Sequence, residues 1–141
     1  MPSTCELFAG HNIRCTTQRQ ALYEALAATD SHPTAEELYR MVKARTNRLS
    51  RATVYNTLET LCRAGLARKL PSDGCYRYDA DVSDHLHLWL REDGSIRDVP
   101  QELGQKLTRE LPQAIIAEIG RRLGVEIEGV NIQLLARRSA G

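Results

Sequence analysis

Residues 49–79 read LSRATVYNTLETLCRAGLARKLPSDGCYRYD, and this stretch decides the fold. Ser50 is an N-cap residue, Val54, Leu58, Leu61 and Cys62 recur at helical spacing, and Gly65 can take the left-handed conformation that stops a helix. The other face of that helix carries Arg51, Tyr55 and Asn56. Leu66 to Leu70, a turn over Pro71, Ser72, Asp73 and Gly74, and the alternating Cys75 to Asp79 then read as a β-hairpin.

Working toward the N-terminus, Thr34 and Glu37 form a capping box that opens a helix with Ala35, Leu38, Tyr39 and Val42 as its buried stripe. This helix fades over the basic residues 43–48. Before it, a helix from Thr16 carries Leu22, Ala25 and Leu26 inward and ends in the turn-forming run Thr29 to Pro33. Three helices followed by a hairpin predict a winged helix-turn-helix over residues 1–80.

Toward the C-terminus, residues 85–90 (HLHLWL) alternate at period two, Arg91 to Gly94 form a turn, and Ser95 to Val99 return as a second strand. Residues 101–123 read as helical around a break at Pro112, and Val130 to Ala136 as a last strand. The fold class expected is α+β, with a small α/β dimerisation domain over residues 81–141. Its apolar residues are too few for a substantial core of its own, which predicts a homodimer.

With 141 residues the chain holds one ordinary domain or two small ones. No stretch approaches the roughly 20 apolar residues that a membrane span needs, and no basic region leads into an apolar run at the start. The expectation is a cytoplasmic protein with no membrane partner. Cys5, Cys15, Cys62 and Cys75 are scattered without a CxxC pair, which argues against a disulfide framework and against a thiolate-bound structural zinc, leaving free thiols in a reducing compartment. The net charge of +1 conceals an asymmetry: residues 1–70 carry ten Lys/Arg against six Asp/Glu, residues 71–141 nine against twelve. The front half suits a polyanion, the back half cations.

A helix that enters the major groove, about 12 Å wide, needs an apolar inner face and a polar, partly aromatic outer one. The helix from Arg51 supplies both. Arg51 is a candidate for a phosphate contact, Thr53 for phosphate or a base, Tyr55 for thymine methyl groups and Asn56 for adenine. Arg14, just ahead of the first main helix, is a candidate for the minor groove. Double-stranded operator DNA is the partner this pattern suggests.

Side chains two apart on a strand share a face, so His85 and His87 project together while Leu86 and Leu88 face away. If the turn takes residues 91–94, the antiparallel register sets Asp98 opposite His87, delivering a carboxylate beside two imidazoles. Asp79, Asp81 and Asp84 lie just upstream. Imidazoles and carboxylates without thiolate suit Fe(II), Mn(II) or Zn(II), the carboxylates favouring the first two.

At this point TTQRQALYEAL (16–26), HPTAEELY (32–39), LSRATVYNTLETLCRAGL (49–66) and YDADVSDHLH (78–87) together resemble the ferric uptake regulator family. The resemblance covers roughly residues 11–100. It implies an N-terminal winged helix joined to a C-terminal dimerisation domain, a homodimer on a palindromic operator, and repression that depends on metal. By motif, it implies a hinge site of His32, Asp79, His85, His87 and Asp98, which gathers His32 and Asp79 with the three residues that strand geometry already groups. Occupancy of that site is expected to hold the two winged helices at the spacing of successive operator half-sites.

The chain departs from the family pattern in two ways. Leu90 and Asp93 stand where the usual CxxC would be, so no structural zinc is expected, and Trp89, Leu90 and Ile96 are expected to pack there instead. Leu86 between the two histidines and Asn131 near the last strand replace residues of a further family site, so one metal per chain is expected. Aspartates at both carboxylate positions resemble the peroxide-responsive repressors, in which iron at the site leads hydrogen peroxide to oxidise a ligand histidine, here His32 or His85. The absent CxxC also resembles haem-linked iron response regulators, although no Cys-Pro haem motif is present. A manganese- or iron-responsive repressor without peroxide chemistry is the other alternative within the family. A small metalloenzyme built on the His/Asp cluster would leave the Arg51 helix and the basic front half unexplained. No catalytic residues are therefore expected.

Overall fold

A computed structural model of the chain describes residues 1–82, 85–130 and 132–139. Asp84 and Asn131, both drawn into the metal expectations, lie outside the described residues. Four helices come first: α1 (Thr4–Gly10), α2 (Thr17–Ala28), α3 (Ala35–Lys43) and α4 (Arg51–Arg63). Thr16, Thr34 and Ser50 cap the last three by accepting from the backbone N–H three residues on. Gly65 sits at φ 77° just past α4 and lets Leu66 N–H reach back to the Leu61 carbonyl.

The helices pack on Phe8, Leu22, Leu26, Leu38, Val42, Val54, Leu58 and Leu61, each at most 1% exposed. This is the expected stripe, with two differences: Cys62 and Tyr39 are only half-buried, and Arg51 and Lys43 lie over the Tyr39 ring. The α1 helix was not anticipated, although Ser3 and Glu6 form a full capping box and Phe8 anchors it completely.

The wing is β1 (Arg68–Ser72) paired antiparallel with β2 (Cys75–Asp79). The expected four-residue turn is shorter than that. Pro71 and Ser72 belong to the strand, and Asp73–Gly74, with Gly74 at φ 70°, closes a two-residue hairpin. Pro71 is tolerated because a two-stranded ribbon has an open edge.

A second sheet has the order β4-β3-β5, built from β3 (His87–Leu90), β4 (Ile96–Asp98) and β5 (Gln133–Ala136). Here β3 runs antiparallel to β4 and parallel to β5. The register pairs His87 with Asp98, as alternation predicted. Regular pairing starts at His87 instead of His85, yet Val99 N–H still donates to the Leu86 carbonyl and carries the alternation back. Leu86 turns away from the histidines and packs over Gly104 of the following helix. The helices α5 (Gln101–Arg109) and α6 (Gln113–Leu123) follow, separated at Pro112 as expected. Leu90 and Ile96 are buried, while Trp89 is half-exposed. The architecture is α+β with an N-terminal winged helix-turn-helix.

The expectation of four free thiols is overturned at the N-terminus. Cys5 and Cys15 form a disulfide, because the chain turns back at His11–Asn12, with Asn12 at φ 58°, and Ile13 N–H donates to the Phe8 carbonyl. That fold-back exceeds the reach of a spacing argument, since ten residues separate the two cysteines. Cys62 and Cys75 are free. Among the described residues no helix is long and apolar enough to cross a membrane.

Candidate metal centre and nucleic-acid face

Five side chains from four places in the chain meet between the winged helix and the second sheet. His32 comes from the turn between α2 and α3, Asp79 from the end of β2, His85 from just ahead of β3 and His87 from its first position, and Asp98 from the end of β4. One nitrogen or oxygen from each lies within 4.8 Å of all the others. The three Nε2 atoms converge on two oxygens. Asp98 Oδ1 is 3.0, 3.0 and 3.5 Å from His32, His85 and His87, and Asp79 Oδ2 is 3.3, 3.1 and 3.4 Å from the same three.

A cation bound at about 2.1 Å sets neighbouring ligands about 3 Å apart and opposite ones about 4.2 Å, so these separations match the edges of a coordination polyhedron. Hydrogen bonding alone explains them poorly. Each imidazole Nε2 has at most one proton to give, yet each faces two carboxylate oxygens. Two carboxylates and three neutral imidazoles would also make the site electrically neutral around a divalent ion. The donor set fits Fe(II), Mn(II) or Zn(II).

Electrostatics point the same way. Burial is the largest single influence on His32 and opposes its charge, but hydrogen bonds and charges from Asp79 and Asp98 together outweigh it and hold the imidazole above its ordinary value. Burial likewise pushes the Asp79 carboxyl up. Hydrogen bonds from His32, His87 and the Asp81 N–H, with the His32 charge, overcome that and hold it far below the usual carboxylate range. The cluster is therefore primed to hold positive charge. A cleft lined by Asp30, Asp79, Asp81 and Asp98 leads in from solvent, an acidic approach suited to a cation.

His32 is 1% exposed and adopts φ 51°, a left-handed conformation that costs a non-glycine residue on the order of 1 kcal/mol. It is held there by Arg77, unanticipated from sequence, whose Nη1 donates to the His32 carbonyl at 3.2 Å. Arg77 Nε donates to the Gly94 carbonyl at 2.8 Å, and Nη1 lies 3.5 Å from Glu37. Its position two residues before Asp79 on β2 was the signal available: side chains two apart share a strand face.

The residues singled out as candidates for DNA contact fall into three sets. Arg14, Thr53 and Asn56 line one shallow cleft together with Gln18 and Arg19, which the sequence had not suggested. Tyr55 stands out from α4, 56% exposed. Arg51 is engaged, since Nε and Nη2 each donate to Glu36 at 2.9 Å and the guanidinium stacks 4.5 Å over Tyr39.

Residues 10–132 match the ferric uptake regulator family. Among curated proteins, the chain is similar to the peroxide operon regulator of Bacillus subtilis, with 37% identity over 87 residues, 61% of this chain and 60% of that protein. The chain thus spans about three-fifths of the length of the curated relatives it matches. Among solved structures, a zinc-bound manganese uptake regulator shares 26% identity and covers 98% of this chain and 100% of that one at a TM-score of 0.69. The ferric uptake regulator of Vibrio cholerae has the same fold at 19% identity, with a TM-score of 0.71 and coverage of 95% and 98%.

Proposed function

The chain belongs to the ferric uptake regulator family, whose members are transcriptional regulators and not enzymes, and on that premise we propose that it is a metal-dependent repressor that responds to hydrogen peroxide. It binds operator DNA as a homodimer when Fe(II) or Mn(II) occupies the site of His32, Asp79, His85, His87 and Asp98. The observation that carries this reading is the convergence of those five ligands from both sides of the junction between residues 1–80 and 81–141. A site shared between two units is filled only when they stand in one relative arrangement, so binding energy becomes orientation of the winged helix.

DNA contact falls to Arg14, Arg51, Thr53, Tyr55 and Asn56. Dimerisation falls to the second unit, where Leu103, Ile115, Ile119, Leu123 and Leu135 are each 46–71% exposed, a concentration of apolar side chains that calls for a covering partner. Iron(II) held by these five residues would supply electrons for the reduction of peroxide, and His32 or His85 would be the side chain that gains an oxygen. The all-aspartate carboxylates and the similarity to a peroxide operon regulator support peroxide as the signal. The second reading, a manganese- or iron-responsive repressor without redox chemistry, draws on the similarity to the manganese uptake regulator.

An anaerobic binding assay on the promoter of the protein's own gene tests both. Retention is expected with Mn(II) and with Fe(II), and release after peroxide only for the iron-loaded protein, with a mass gain of about one oxygen mapping to His32 or His85. Release without histidine oxidation would exclude peroxide sensing at this site. Metal-independent binding would overturn the repressor mechanism itself.

A further inference from the structure

The metal switch leaves one pair of reactive side chains unused. Cys5 stands exposed on α1, and Cys15 is half-buried immediately before Thr16, the N-cap of α2. Their Cα atoms are 5.4 Å apart, and both sulfurs reach Gln20 Oε1, at 3.8 and 4.0 Å. The pair therefore lies on a seam between two helices at the edge of the core, where Cys15 packs against the core and Cys5 is open to oxidants and reductants.

The bond is not what holds α1 in place. Phe8 is fully buried and meets Tyr23 edge-on at 5.6 Å, and Thr4 Oγ1 donates to Glu24 at 2.9 Å. Cutting the disulfide leaves these contacts and keeps the two thiols near each other, so the bond can re-form without rearranging the fold. The bond adds a covalent tie at Cys15 to the connector from His11 to Cys15, whose other restraints are the buried Ile13, its N–H on the Phe8 carbonyl, and Arg19 Nη1 on the Arg14 carbonyl at 3.3 Å. Arg14 sits on that connector, adjacent to the disulfide, in the cleft shared with Thr53 and Asn56 of α4.

We propose that Cys5 and Cys15 form a reversible dithiol–disulfide site for hydroperoxides, separate from the metal centre, whose oxidised form fixes Arg14 at the DNA-facing cleft. The effect on DNA rests on the functional reading above; the thiol chemistry does not. Cys15, at the positive end of α2, is the attacking thiolate. Its sulfur bonds to one peroxide oxygen, the O–O bond breaks, and the departing hydroxide takes a proton to become water, leaving a sulfenic acid. The Cys5 sulfur then attacks that sulfur, the S–S bond forms, and the S–O bond breaks with loss of a second water. Two electrons pass from the sulfurs to the peroxide, and a small dithiol reverses the step by exchange, becoming oxidised itself.

The test uses full-length, metal-free protein, reduced with a phosphine and then titrated anaerobically with hydrogen peroxide. Intact mass should fall by about 2 Da, with Cys5 and Cys15 protected from alkylation, Cys62 and Cys75 still labelled, and dithiothreitol restoring all four thiols. Four alkylatable thiols after treatment, protection of a different pair, or oxygen addition of about 16 Da without protection each overturns the site. With Mn(II) and promoter DNA, the disulfide form should bind several-fold more tightly than the dithiol form. Cys5→Ser and Arg14→Ala should each abolish that difference, Arg14→Ala without preventing disulfide formation. Equal affinity of the two forms overturns the Arg14 coupling. If neither form binds DNA, the repressor reading and the coupling fall together, while mass and alkylation still decide the thiol site.

Discussion

Arg77 donates from Nη1 to the backbone carbonyl of His32, 45 residues away in sequence, and this bond ties the wing to the ligand that the winged-helix unit contributes from its turn. The same guanidinium donates to the Gly94 carbonyl in the β3–β4 turn, which also accepts from Ser72 of the wing at 2.6 Å. The site's two halves are thus joined by hydrogen bonds that involve no ligand atom. We predict that Arg77→Ala weakens Mn(II) binding about tenfold, since a hydrogen bond to a charged group contributes about 1.5–3 kcal/mol. Arg77→Lys should not restore it, because a point charge cannot serve two carbonyls in a fixed fork. Titration calorimetry alongside thermal unfolding checks this: lowered stability with unchanged affinity would make Arg77 merely structural.

Removing a ligand should separate metal binding from folding. Saturation at about 100 times the dissociation constant stabilises a folded protein by about 2.7 kcal/mol, several degrees in Tm for a chain of this size. Mn(II) is expected to raise the Tm of the natural protein by that amount and to leave Asp79→Ala and His87→Ala unmoved in differential scanning fluorimetry. An undiminished shift in either variant would remove that residue from the ligand set.

The pH dependence has a definite sign. His32 is raised above 6.5, so the stability its protonated form gives the metal-free chain is present below 6.5 and lost as pH rises through the raised value. Asp79 is lowered below 3.8, so its contribution is present above 3.8 and lost as pH falls through the lowered value. The cluster therefore stabilises the metal-free fold most between those limits. Ligation requires neutral His32, so Mn(II) affinity should rise between about pH 6 and about pH 8 with release of protons. Calorimetry in buffers of different ionisation enthalpy reads that release, and equal affinity at both ends would contradict it.

Glu36 holds Arg51 through two hydrogen bonds at 2.9 Å, and on the proposed reading a DNA phosphate would have to compete for that guanidinium. Glu36→Gln should free the guanidinium, tighten promoter binding and steepen the dependence on log salt by about one unit. Arg51→Ala should weaken binding, and Asn56→Ala should weaken it while blunting sequence preference. Anisotropy titrations across a salt series distinguish these outcomes. An unchanged salt slope in Glu36→Gln would mean that Arg51 makes no phosphate contact.

Much of this was legible beforehand because it is local. The caps at Thr34 and Ser50, the stop at Gly65, and the alternation that sets His87 against Asp98 all follow from backbone geometry within a few residues. Missed features were of two kinds. The α1 capping box at Ser3 and Glu6 was local and readable, but the helix is only seven residues long. Arg77 on His32, Glu36 on Arg51 and Cys5 on Cys15 are pairings across folded space, with no periodic signature.

The sequence by itself determined the elements from α2 onward, the register of β3 against β4, and which side chains there share a face with His87. Family resemblance extended that set to His32 and Asp79. Only the tertiary structure decided that His32, 66 residues from Asp98, lies 3.0 Å from it, and that a left-handed backbone aims its ring into the cluster. The reason is physical: periodicity reports where a side chain points relative to its own element, whereas distances between elements are settled by how the buried surfaces of all of them pack together.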